Sequence, residues 1–269
     1  MTRDYSGQRL RAGAISRHTV LQLLIVFFFI SLLLYCGIDS HPQPPPPPPT
    51  SSSPSKALVV ASSIATSRDA ASWLSDVPRD WAIYHYVTDS VDDSSLSVPA
   101  DKGNEAMAYL TYIIDHYGSL PDVVFFRHSH AASWHQNFDS AFEVSRLRAG
   151  YVLEKGYVSP RCLAGCENVM PVAEARDPVP ISEIHLAPRD VQLRSLLAEF
   201  LDPSEPVPRK IAAPCCAQFA VSRDAVHARS LEWWEEMRNW LITTSLSSYN
   251  SGRLLEWTWH IWFGEDASL

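Results

Sequence analysis

The segment Arg127-His128-Ser129-His130, followed by Trp134-His135, gathers a guanidinium and three imidazoles into one short stretch. Alternate residues of an extended chain share a side, so His128 and His130 point together and His135 follows five residues on. Three imidazoles can hold zinc or another borderline metal. Arg127 could instead neutralise a diphosphate or carboxylate with no ion, and Trp134 offers a flat face for a ring. A purely structural role, with one histidine capping carbonyls and the others on the surface, fits the same residues. The metal-independent polar site is preferred, because no acidic pair ends this strand. No cofactor is then required, and a divalent metal is the less favoured alternative.

A second constellation lies near the C-terminus, where Arg253, Glu256 and His260 fall at i, i+3 and i+7 of a helical pattern and share a face. Glu256 could deprotonate or orient an acceptor with His260 behind it, and Arg253 would bind substrate. An ordinary helix ion pair explains the same spacing. Asp89, near Asp92 and Asp93, sits where a strand's end could hold a cation or a ribose hydroxyl, although Asp is also a normal turn residue. Gly-x-Ser-x-Gly, GxxxxGK[ST] and His-Glu-x-x-His are all absent, which removes common esterase, ATPase and metalloprotease types.

Four cysteines, Cys162, Cys166, Cys215 and Cys216, lie outside the apolar N-terminal segment that holds Cys36. Adjacent cysteines seldom bridge, since the eight-membered ring strains the peptide between them. Two disulfides joining the 162/166 pair to the 215/216 pair are therefore expected. One disulfide with two free thiols, or a four-thiolate zinc site, are the alternatives.

The elements that position these residues follow from periodicity. Residues 57–62, 80–87 and 123–126 read as strands, and 105–117 as a helix capped by Asn104 and ended by Gly118. Strand, helix, strand in this order implies a right-handed crossover and a parallel pair. Downstream, a helix opens at Pro188, a strand spans 216–221, and helices follow from Leu231 and over 252–263.

The chain's 269 residues carry a net charge of −8, but residues 1–18 hold four arginines against Asp4. The acidic remainder excludes nucleic acid as a partner. Residues 19–38 contain no charge and match a bilayer's hydrocarbon core in length. The expected organisation is a cytoplasmic tail at 1–18, a transmembrane signal anchor at 19–38, a Pro/Ser-rich stalk at 39–56 and one luminal domain at 57–269. By the positive-inside rule this is a single-pass type II membrane protein of the ER/Golgi or cell surface, with the lipid bilayer as a partner.

The blocks NEAMAYLTYIIDHYGSLPDVVFFRHSHAASWH, CCAQFAVSRDAV and SGRLLEWTWHIWFG, with the GYVSPRC stretch, resemble an uncharacterised fungal family, the domain of unknown function numbered 3431. The resemblance covers nearly all of 57–269 and implies a fungal source and often a membrane anchor, but no reaction. A weaker likeness, to nucleotide-sugar glycosyltransferases of the GT-A type, implies an α/β fold with a mainly parallel, GT-A or Rossmann-like central sheet. It also implies a glycosyltransferase-like enzyme taking a nucleotide sugar and a glycan acceptor. The strand VVFF ends in Arg-His-Ser-His where those enzymes place Asp-x-Asp. The alternative function is a non-catalytic membrane-tethered domain that binds glycans or proteins.

Overall fold

The computed structural model describes residues 53–90, 96–161, 167–175, 179–180 and 182–268, and the compact unit within it starts at Pro54. Its first strand, β1 (Lys56–Ser62), is buried on both faces after Lys56, as the β-branched run ALVVAS requires of a central parallel strand. α1 (Ile64–Leu74) follows at once, and β2 (Trp81–Val87) then pairs parallel to β1. α2 (Glu105–His116) carries the chain to β3 (Val123–His128), which pairs parallel to β1 on its other side.

Alternation along β1 and β3 divides the interior in two. Ala57, Val59, Val124 and Phe126 face a large core with α2 and the C-terminal helices, whereas Leu58, Val60, Val123 and Phe125 pack on Trp73 of α1 and on Val144 and Val152. The last two belong to the short helices α3 (Ser140–Arg146) and α4 (Ala149–Lys155). A two-residue strand, β4 (Tyr157–Val158), then joins the sheet, and β5 (Glu167–Pro171) pairs antiparallel with β6 (Lys210–Pro214) in a separate ribbon. Between β5 and β6 runs α5 (Arg189–Phe200).

The remaining elements are β7 (Phe219–Ser222), α6 (Arg223–His227), α7 (Leu231–Thr243) and α8 (Ser248–Trp262). Ser222, Ser230 and Ser247 cap the last three through their hydroxyls, each taking a bond from a backbone N–H in the first turn. The rings of Phe219, Trp259 and Phe263 lie 5.4–6.1 Å apart and lock α8 onto the sheet.

The five-stranded sheet has the order β2-β1-β3-β7-β4, and this corrects two expectations. β2 and β3 are not neighbours, because β1 lies between them. Nor is the sheet mainly parallel in the GT-A or Rossmann sense: β7 runs antiparallel to both β3 and β4, so the topology is mixed. A strand buried on both faces has the same composition in either direction, so FAVS carries no signal of its polarity. β7 also begins at Phe219 rather than Cys216, because residues 215–218 form a turn.

The membrane reading is corrected as well. No helix among the described residues is long and apolar enough to cross a membrane. The expected tail, the anchor at 19–38 and most of the stalk lie outside the described residues, so the structure gives no support to a bilayer partner or a type II placement.

Candidate functional site

The order β2-β1-β3 means that the chain leaves β1 toward one edge of the sheet and β3 lies on the other side. The crevice beyond the C-terminal ends of two such strands is where open α/β sheets bind ligands. A cleft of about 430 Å³ occupies that position. Ser62 and Ser63 line it from the end of β1, His128, Ser129 and His130 from the end of β3, and Asn104 and Glu105 from the start of α2. Thr66 and Thr88 add two hydroxyls.

His128 and His130 leave β3 side by side, and the following loop brings back His135. Each can offer one ring nitrogen such that all three atoms lie within 4.8 Å of one another. Among the described residues His128 Nε2 and His135 Nδ1 are buried without a hydrogen-bond partner, which is costly unless something else binds there. Burial pushes the His130 pKa down and takes His135 to about 4, with neighbouring His128 and Arg161 adding to the shift at His135. Both rings are therefore neutral at pH 7, the form that binds a metal. Glu105 Oε1 lies 3.8 Å from His128 Nε2 and is the one carboxylate among the described residues that line the cleft.

The loop is fixed by its own carbonyls and amides. Trp73 Nε1 donates to the Ser129 carbonyl at 2.8 Å, Ser140 Oγ to that of His130 at 2.5 Å, and Arg161 Nη1 to that of His135 at 2.8 Å. Beneath it, Glu143 accepts from Arg127 Nη1 at 2.5 Å and from Arg161 Nη2, while Arg127 Nη2 reaches Ser140 Oγ at 2.9 Å. Arg127 is thus wholly buried and committed to the scaffold.

The other candidates are dispersed. Trp134 is 80% exposed, its ring edge-on to His135 at 5.3 Å. Asp89 caps α1, accepting from the Ile64 N–H at 2.6 Å. Arg253 donates twice to Glu256, at 2.9 and 2.8 Å, and Glu256 also accepts from the Cys216 N–H at 3.0 Å and from Asn168 at 3.2 Å. His260 is buried on α8 with Nε2 at 3.4 Å from the Ala267 carbonyl. None of these five is among the described residues that line the histidine cleft.

The cysteine expectation is corrected too. Cys215 and Cys216 are disulfide-bonded to each other, which excludes the expected links to Cys162 and Cys166; those two lie outside the described residues. Cys216 and Ala217 have φ of 81° and 42°, a left-handed bend that accommodates the small ring. Sequence reasoning set Asp89 ahead of Glu105 among the acidic residues that follow β2, and it missed Glu143 and Arg161, which have no local signature.

The nucleotide-sugar transfer inferred from the sequence is corrected by this geometry. Its diphosphate-holding residue, Arg127, is sealed by Glu143, and among the described residues neither Lys nor Arg lines the cleft. The chain belongs to the family described as Protein of unknown function (DUF3431), which matches residues 58–269. No curated protein and no solved structure matches it.

Proposed function

Starting from a DUF3431 domain with a histidine-lined cleft, we propose that His128, His130 and His135 hold a divalent transition metal and that the cleft carries out metal-assisted hydrolysis of a small polar substrate. The observation that supports this reading is the convergence of three ring nitrogens within 4.8 Å, two of the rings presenting buried nitrogens with no hydrogen-bond partner among the described residues. Three protein ligands leave a fourth position for water or a substrate oxygen, the pattern of catalytic rather than structural zinc sites. Zinc lowers the pKa of such a water, and Glu105 is the nearby carboxylate that would take its proton. Ser62, Ser63, Thr66 and Thr88 suit hydroxyl or amide groups of an uncharged substrate. From the weaker GT-A likeness we carry over only its general α/β layout, with no donor and no transfer chemistry.

The test is metal content and coordination of the full-length protein. Purified protein should take up one zinc per chain, and cobalt should substitute with the visible absorption of a four-coordinate site. His135→Ala should abolish uptake while the unfolding transition persists. Only trace metal after reconstitution, or uptake unchanged in the His128→Ala/His130→Ala/His135→Ala protein, overturns the proposal.

A further inference from the structure

We infer that the groove between α3 and α4 binds a free medium-chain fatty acid. The groove, about 330 Å³, is lined chiefly by Phe138, Phe142, Leu147, Tyr151, Val152 and Val158. Val152 is fully buried at its base, but Phe138, Phe142 and Tyr151 are 57%, 38% and 45% exposed. Single exposed apolar side chains are ordinary; three rings converging on one concavity are the mark of a binding surface. Phe138 and Phe142 already stack on each other, with centroids 4.9 Å apart.

Charge selects the ligand. Arg146 and Arg148 line the same groove, both are exposed, and neither has a carboxylate partner among the described residues. Arg146 lies over the Phe142 ring at 5.3 Å, which leaves its guanidinium edge open. Glu143, which also lines the groove, is shared by Arg127 and Arg161, so two buried guanidiniums face one carboxylate and the Nε of each has no hydrogen-bond partner among the described residues. The groove thus has a surplus of positive charge both at its rim and below it, in a chain whose net charge is −8. Clustered positive charge of this kind attracts an anion to the groove. A carboxylate accepts the planar two-donor fork of arginine, and an alkyl chain covers the exposed rings. The volume is at the small-molecule end of ligand pockets, too little for a docked helix.

Calorimetric titration of the full-length protein with decanoate, below its micelle concentration, tests the assignment. Decanoate should bind saturably in the micromolar range, and decanol about tenfold more weakly, because it lacks the charge. Arg146→Gln/Arg148→Gln, at two exposed positions, should erase the difference, while Phe142→Ala/Tyr151→Ala should weaken both ligands. His128→Ala/His130→Ala should leave decanoate affinity unchanged, since the groove does not depend on the metal centre. Four results overturn the inference: no saturation by millimolar decanoate, equal affinity for decanol, binding that survives both groove variants, or a stable dimer in sedimentation that Phe142→Ala/Tyr151→Ala dissociates. Binding to anionic lipid vesicles without binding of free decanoate also rejects it.

Discussion

Arg127 Nη1 donates to Glu143 Oε2 across 2.5 Å where the two side chains are 0% and 6% exposed, so the ion pair is sealed from water. Arg161 completes it from the other side. Removing one partner of a buried pair leaves the other charge uncompensated, at a cost of about 3–5 kcal/mol. Glu143→Gln should therefore lower the free energy of unfolding by that order in urea titration. Metal uptake should weaken with it, because Arg127 and Arg161 anchor the loop that bears His130 and His135. A variant as stable as the parent would show that the pair is dispensable.

Glu105→Gln separates proton transfer from metal binding. The amide keeps the size of the side chain but cannot accept a proton, so zinc content should remain at one per chain while turnover of an activated ester or amide falls by about 10²–10⁴-fold. Equal turnover would remove Glu105 from the reaction and leave the metal centre standing.

His260 makes folding sensitive to acid. Burial lowers its pKa to about 4 in the fold, against the ordinary 6.5. Above pH 6.5 both the folded and unfolded chains hold it neutral, and stability is at its full value. As pH falls from 6.5 toward 4, the unfolded chain takes up a proton that the folded one refuses, and stability declines by up to about 3 kcal/mol before levelling off. Urea midpoints measured between pH 7 and 5 should fall more steeply for the parent than for His260→Gln. Parallel slopes would contradict this.

Gly252 lets α8 meet the turn that aims Glu105. A Cβ there would lie 2.8 Å from the Gly103 carbonyl oxygen and 2.9 Å from Asn104 Nδ2. The backbone cannot yield cheaply, because Gly103 and Asn104 have φ of 74° and 53°, and the Leu241 side chain fills the space where a Cβ on Gly103 would lie. Gly252→Ala should cost about 1–3 kcal/mol, despite alanine's better helix propensity. A gain in thermal stability would contradict this.

The Cys215–Cys216 bond closes a minimal ring, so it restricts the unfolded chain little. Its reduction should change stability by only about 1 kcal/mol. Peptide mapping without reductant should return the two cysteines oxidised within one peptide. A cross-linked peptide joining either to Cys162 or Cys166 would contradict the assignment.

Much of the sheet was legible from apolar runs: ALVVAS and VVFF became β1 and β3, and the 3.6-residue pattern over 105–117 became α2 almost to the residue. Neighbour order was not, because β1 reaches β2 by a helix in which only Ala70 and Trp73 are buried, too short a stripe to mark a core-facing face. Of the candidate site, the local signal pointed to His128, His130 and His135, which share one short stretch. Glu105 and Arg161 meet the histidines only through tertiary packing, and Arg127 changed meaning because Glu143, sixteen residues away, reaches it. Asn104 sits at the cap position, yet its backbone bends out of the usual cap conformation and its side chain makes no cap bond.

The antiparallel seam between β3 and β7 has a consequence for how the protein is made. During synthesis β1, β2 and β3 emerge first and can pair, but Phe126 gains its partner Phe219 only after residues 129–218 have followed. Until then the row Val123–Phe126 is a bare sheet edge, apolar and without the charges or prolines that discourage association. A nascent or truncated chain that ends before Phe219 is thus exposed to edge-to-edge aggregation, and chaperone dependence should be greatest over that interval.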